Sequence, residues 1–148
     1  MLSVAEVNRL ILTHFRDNWD FCPILWETQN VHEDIDKTLG ESEIKIVVSP
    51  FVEFLSVVPM EIPVSLAMRK VELVLNVLLA EPEGSGNRNT LEAIDKFNAV
   101  YSSKMMRLSK DGVSGFLNLD FGEVEMGSSE LIDGKYVSVS TVNCSTFF

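Results

Sequence analysis

The sequence has few of the residues that build metal sites or disulfide frameworks. It holds two cysteines, Cys22 and Cys144, and two histidines, His14 and His32. No CxxC pair is present, and no histidine stands near a cysteine at metal-ligand spacing. The pattern argues against a zinc module or a disulfide-stapled fold. It predicts two idle thiols, with a single Cys22–Cys144 bridge as the alternative.

Long hydrophobic runs and positive charge are also scarce. No apolar stretch approaches the roughly 18 residues that span a bilayer, and no basic segment precedes an apolar one near the N-terminus, so we expect no membrane span and no signal peptide. Lysine and arginine number 12 against 22 acidic residues, which gives a net charge of −10. Because gripping phosphates needs a basic surface, we predict no specific nucleic-acid binding and no membrane partner. The acidity suits solubility, or a surface past which DNA slides.

Motifs for catalysis and for phosphate binding are missing as well. The Gly-Ser-Gly sequence at 84–86 lacks the Lys-Ser/Thr that completes a phosphate loop. The segment around Ser114 lacks the spacing of a nucleophile elbow. His14 falls on the apolar side of a predicted helix, and we interpret it as a residue at the edge of the core. We therefore predict that the protein is not an enzyme and needs no cofactor.

An acidic segment is the remaining candidate for a ligand site. Glu33, Asp34 and Asp36 carry the oxygen ligands that calcium and magnesium prefer, but the rest of an EF-hand pattern is absent. We interpret residues 29–41 as a solvated surface loop without a metal. An enzymatic alternative would use Asp34 or Asp36 together with His32.

What is present is the composition of one ordinary globular domain, which we place at 1–148. Hydrophobic residues make up 46% and charged residues 23%, which excludes a disordered chain. The mean hydropathy is slightly positive at +0.16 and hints at apolar surface kept for partners.

Two helices are predicted. Ser3 and Glu6 have the spacing of a capping box, and apolar residues recur at helical spacing up to a predicted end near 17–18. Asn89 and Glu92 would cap a second helix. Its apolar positions are Leu91, Ile94, Phe97 and Tyr101.

Six or seven strands follow from alternating or continuous apolar segments bounded by turn residues. We predict strands at 23–28, 44–48, 51–58, about 65–80, 105–108, 116–121 and 136–146, with a hairpin turn at Asp133-Gly134. At about 3.3 Å per residue the strand at 65–80 would be about 50 Å long. We expect part of this strand, or a hairpin that contains it, to project beyond the core, unless the strand bends at a bulge. A projecting part would offer unpaired edges for oligomerisation. The predicted fold class is α+β, a mostly antiparallel or mixed sheet with both helices packed on one face.

Several segments together resemble one known family. The chain opens with a helix at Ser3-Val4-Ala5-Glu6-Val7, and the segment from Pro23 to Thr28 is similar to a "P-I-x-W-E-N" strand start, with Thr28 in place of Asn. A long strand at 69–77 leads into a glycine-bearing loop at 83–87, and a closing strand covers 136–140. This layout resembles the tail terminator, or tail-tube completion, proteins of long-tailed bacteriophages. Residues 104–134 match no part of that pattern.

The resemblance implies a structural virion protein that forms a hexameric ring on the finished tail tube. Such a ring stops polymerisation of the tube and gives the head a docking surface. The implied partners are further copies of the chain, the major tail tube protein and a head-completion or connector protein. DNA would only pass through the lumen. The implied location is the neck region of the virion tail, and the host cytoplasm during assembly.

The expected subunit or partner interface lies on the long strand, on the loop after it and at the last two residues. Its candidate residues are Arg69, Glu72, Val74, Asn76, Glu83, Asn87, Arg88, Phe147 and Phe148. Two other functions stay open on the sequence alone: another neck or head-closure component, and an acidic adaptor domain that binds its partner as a monomer.

Overall fold

The computed structural model describes residues 3–26, 31–40, 44–59, 69–84, 87–109 and 116–147. Within these ranges the fold is α+β, with three helices and one six-stranded sheet. The helices are α1 (Val4–Asp17), α2 (Val31–Leu39) and α3 (Arg88–Tyr101). The strands are β1 (Val47–Pro59), β2 (Arg69–Pro82), β3 (Met105–Ser109), β4 (Phe116–Met126), β5 (Glu130–Ile132) and β6 (Lys135–Phe147).

All strand pairs of the sheet are antiparallel, in the order β1-β2-β6-β4-β3, and β5 adds to the start of β6. Side chains of a strand alternate between the two faces of a sheet. We call the face that carries Val71, Leu73, Leu75, Val77 and Leu79 of β2 the front face, and the opposite face the rear face. α1 and α3 pack on the front face, where their buried side chains join those of β2, β4 and β6 in the larger core.

Aromatic rings dominate the front core. Phe15 of α1 stacks on Trp19, with 5.1 Å between ring centroids, and on Tyr101 of α3, at 6.2 Å. Tyr101 in turn meets Phe97 and Phe121 edge-on or tilted, at 5.3 and 5.2 Å. Each such pair contributes about 0.5–1.5 kcal/mol beyond the area it buries. The cluster therefore ties both helices to β4.

The beginnings of α1 and α3 are stabilised in different ways. The predicted capping box of α1 is confirmed: Ser3 and Glu6 exchange hydrogen bonds of 3.0 and 3.1 Å. The predicted cap of α3 at Asn89 is wrong, because the helix begins at Arg88. There the buried carboxylate of Glu81 accepts hydrogen bonds from the amide and the hydroxyl of Thr90, at 3.3 and 2.8 Å. A negative charge at this end also complements the helix dipole.

α2 corrects the prediction of a surface loop at 29–41 and of only two helices. It packs on the rear face, where Ile35 is fully buried with Val47, Ala80 and Val137. The Lys135 ammonium, on a side chain that is only 3% exposed, donates to Asp36 of α2 at 2.7 Å. The helices thus lie on both faces of the sheet.

Strand β1 corrects two predictions at once. The segments at 44–48 and 51–58 are not two strands separated by Pro50, because one strand runs from Val47 to Pro59 with a bulge between Phe54 and Ser56. Proline fits inside a strand when that strand is at an edge and the missing N–H would have pointed outward. β1 is such an edge strand.

The remaining strand predictions are close to the structure. The long strand is β2, which begins at Arg69 and ends at Pro82, while residues 65–68 lie outside the described ranges. The closing strand and the hairpin turn are confirmed: Asp133 and Gly134 both have positive φ, at 49° and 77°. The part of β2 that the structure describes pairs with β1 on one side and β6 on the other, so the prediction of unpaired edges is wrong for these residues.

Candidate interaction surface

The outer edge of β1 begins with a short parallel pairing to the chain's own Pro23–Leu25 segment. Val48 donates its N–H to the carbonyl of Pro23 at 3.2 Å and accepts from the N–H of Leu25 at 2.8 Å. The next residue of β1 that points outward is Pro50, which has no N–H to continue the ladder. This explains why the predicted strand at 23–28 is reduced to a single bridge at Ile24 in the described residues.

Beyond Pro50 the outer edge of β1 has no strand partner among the residues that the structure describes. Backbone groups along a paired strand point alternately inward and outward, so Val52 and Phe54 direct their N–H and C=O groups away from β2. The far half of the strand also exposes apolar side chains: Leu55 is 60% exposed, and Val57 and Val58 are partly so. An unpaired edge with exposed apolar side chains is a typical binding site for another strand.

At the opposite edge of the sheet, part of the backbone of β4 is covered by another segment of the chain. Along β4, the chain just after α3 covers the backbone: Ser103 donates to Gly122 at 2.7 Å, and Phe121 donates to Lys104 at 2.9 Å. In the described part of the chain, the five residues of β3 lie beyond β4 as the edge strand. Met105 of β3 is 83% exposed.

The interface residues predicted on β2 lie in several environments. Glu72 and Val74 have their side chains on the rear face, and Glu72 lines a depression of about 430 Å³ together with Asp120 and Asn143. Asn76 is buried and donates to Glu53 of β1 at 3.0 Å, so it holds two strands of this chain together and offers no surface. Arg69 is half-buried at the first residue of the strand.

The residues predicted at the loop and at the chain end lie at opposite ends of the sheet. Glu83 follows β2, and its N–H donates to Gly134 at 2.9 Å. Asn87 precedes α3 without a side-chain cap, and Arg88 makes an exposed ion pair with Glu92 at 3.9 Å. Phe147 lies at the other end, half exposed, in a depression of about 340 Å³ with Met105 and Met106. Phe148 lies outside the described residues.

The predicted residues therefore do not form one patch. Pro82 pairs with Lys135 at one end of the sheet, and Lys70 pairs with Phe147 at the other. The intervening 12 steps of β2 correspond to about 40 Å. Sequence reasoning also missed the exposed apolar residues of β1. Their signal was the Val-Val pair directly before Pro59, which alternation does not place on a single buried face.

His14, Tyr101, Cys22 and Cys144 all have partly or fully buried side chains. Nδ1 of His14 is 2.9 Å from the hydroxyl of Tyr101, and partial burial lowers the pKa of the histidine despite the nearby Asp17. Burial raises the pKa of Cys22 to about 11 and that of Cys144 to about 12, so both thiols are protonated at neutral pH and poorly nucleophilic. Both are free cysteines, which rules out the alternative of a bridge between them in this structure.

Neither a metal cluster nor a membrane helix is found in the described ranges. No three of their His, Cys, Asp and Glu side chains come together as a metal site. Asp36, which was considered as a cation ligand, contacts Lys135 instead. No described helix is both long and apolar enough to cross a bilayer.

Comparisons with known proteins add a fold and no function. No family model matches the chain, and no curated protein matches it. Nine chains among the solved structures match. One of them is 13% identical, with a TM-score of 0.56 over 95% of each chain, and its name describes no activity. At that identity the likeness shows the fold alone.

Proposed function

We propose that this chain is a structural virion protein that forms a ring, with six copies, on the end of a bacteriophage tail tube. The ring stops growth of the tube and presents a docking surface to the head or its connector. The observation that carries the proposal is the edge of β1, where outward backbone groups without a strand partner in the described ranges occur together with exposed apolar side chains. A stable monomer rarely leaves such an edge in water.

The two ends of the sheet also support a ring. A closed ring needs a heterologous contact, in which one patch meets a different patch on the neighbour. A terminator must in addition bind the tube on one side and refuse further tube subunits on the other, which needs two unlike surfaces. This chain has a polar end around Glu83 and Arg88 and an apolar end around Met105 and Phe147.

The charge of the chain is consistent with the proposed lumen. Six copies at −10 each would surround the lumen with negative charge. Carboxylates repel DNA phosphates, so a genome could pass the ring without adhering to it.

The test is the mass of the protein in solution across a concentration series, by light scattering, with negative-stain images of the largest species. We expect six-fold rings, either free or on the tips of purified tail tubes, and an arrest of tube growth when the protein is added. A monomer that neither assembles nor binds tail tubes would refute the proposal and would favour a monomeric adaptor.

A further inference from the structure

We propose that the β1 edge beyond Pro50 pairs in parallel with strand β3 of a second copy of this chain. The inference rests on the proposed ring and names the contact that closes it. Both strands are sheet edges in the described chain, and both expose apolar side chains, Leu55 on β1 and Met105 on β3. Pairing them would continue one sheet from copy to copy.

The direction of the contact follows from the sheet order. Five strands lie in the path β1-β2-β6-β4-β3, and each neighbour is antiparallel to the next. The first and the last strand of the path therefore run the same way. Copies related by rotation around a ring axis keep that direction. The β3 strand of one copy consequently meets β1 of the next in parallel.

The chain already makes a parallel contact of this kind at the same edge. Pro23–Leu25 pairs in parallel with β1 at Val48, and the pairing stops where Pro50 cannot donate. The next outward donor is the N–H of Val52. A strand from another copy can thus begin where the chain's own segment ends.

The register follows from the faces of the two strands. Val52 and Phe54 belong to the front face, where both pack against the larger core. Met106 and Leu108 of β3 also lie on the front face and pack against the same core at the opposite edge of the sheet. Placing Val52 beside Met106 of the neighbour, and Phe54 beside Leu108, joins two front cores into one apolar layer.

The same register brings opposite charges together on the rear face. Glu53 lies between Val52 and Phe54, and Arg107 lies between Met106 and Leu108. Both side chains are exposed. The Glu53 carboxylate accepts from Asn76, and Nε of Arg107 donates to Asn118 at 3.2 Å, so each is held near the sheet surface. In the proposed register Glu53 stands directly opposite Arg107 of the neighbour, a cross-strand pair of the favourable kind.

The two segments are also similar in length. β3 has five residues. On β1 the regular segment between Pro50 and the bulge after Phe54 covers the four positions 51–54. Because the edge of β4 is covered by the chain after α3, β3 is the part of that side that can accept a strand.

Disulfide trapping tests the contact. Glu53→Cys and Arg107→Cys are combined in a Cys22→Ser chain, while the buried Cys144 is kept. Residues opposite each other on neighbouring strands are about 5 Å apart, within the range of a disulfide. We expect mild oxidation to give a ladder of covalent oligomers that ends at the size of the ring. The matched control combines Glu53→Cys with Glu125→Cys, an exposed position on β4, and we expect no ladder from it.

Charge reversal gives a second readout that does not depend on oxidation. We expect Arg107→Glu alone to raise the concentration needed for assembly at least about tenfold, because like charges would face each other in every contact. Combining it with Glu53→Arg should restore assembly. Unchanged thermal melting of the single variant shows that its fold is intact.

The outcomes separate this contact from the ring itself. If rings form but neither a ladder nor a charge effect is seen, the β1–β3 contact is overturned and the proposed function stands. If the protein neither assembles nor binds tail tubes, both fail together.

Discussion

The two faces of the sheet are stabilised by different means. The front face buries a continuous layer of aromatic and aliphatic side chains under two helices of 14 residues each. The rear face holds one helix of nine residues, of whose described side chains Ile35 is fully buried and Leu39 packs beside it, and a buried lysine adds an ion pair. Regions with few buried apolar contacts open at lower free energy than the core. We therefore expect the front face to determine the free energy of global unfolding. We expect α2 to undock from the rear face while the rest of the sheet stays folded.

The largest expected effect is on the front face. Phe97→Ala removes a ring that contacts both Phe15 and Tyr101, and we expect it to lower the free energy of unfolding by about 3–5 kcal/mol. Ile35→Ala, on the rear face, should cost clearly less, because α2 can undock while the sheet stays folded. Urea denaturation measures both, and hydrogen exchange over 31–39 reports the undocking. Equal costs for the two variants would contradict the comparison.

A smaller effect is expected at the rear ion pair. Asp36→Ala leaves the buried Lys135 ammonium without its carboxylate, and we expect a loss of about 1.5–3 kcal/mol, concentrated in α2. Replacing both partners, with Lys135→Met and Asp36→Ala, should recover most of the loss, because no charge is then left buried. Thermal melts compare the stability of the single and the double variant, and hydrogen exchange shows whether the difference lies in α2. A double variant no better than the single one would show that the ion pair itself holds the helix.

The smallest effect is a dependence on pH at the front face. Partial burial lowers the pKa of His14 below its ordinary value of 6.5, and the charge of Asp17 opposes this only in part. The unfolded chain then binds the proton more readily, so the contribution of His14 to stability is present above pH 6.5 and is lost as the pH falls below it. We expect the free energy of unfolding, measured by chemical denaturation, to be higher at pH 7.5 than at pH 5.5. The difference should be smaller than the loss expected for Asp36→Ala.

His14→Gln is the control for this pH dependence. It keeps a polar group near the Tyr101 hydroxyl but cannot take up the proton. We expect a flatter pH profile than that of the parent protein. An identical profile would assign the dependence to other groups.

Local patterns predicted most of the sheet and two of the three helices that the structure describes. The capping box, the alternation along β2 and the Asp-Gly turn are short-range signals, and each is confirmed. α2 was missed because its acidic composition obscured Val31, Ile35 and Leu39, which recur every four residues on one side of a helix. Pro50 was interpreted as a strand end because its meaning depends on whether the strand is at an edge, which only the sheet order reveals.

The candidate surface was harder to predict than the fold. β2 has the strongest strand pattern, and it was expected to project, yet its described residues pair on both sides. Which strand lies at an edge depends on pairings between distant segments, and no local pattern encodes them. The exposed apolar side chains of β1 and β3 become informative only once those edges are known.

The position of β6 has a consequence for synthesis on the ribosome. Among the strands in the described residues it is translated after the others, yet it lies between β2 and β4 and joins the two halves of the sheet. Until residues 135–147 leave the ribosome, a nascent chain has no complete sheet and no fixed relation between β1 and β3. Folding of such a topology waits for its most distant pairings. The proposed contact between β1 and β3 of neighbouring copies would therefore form only after residues 135–147 of each copy have been synthesised.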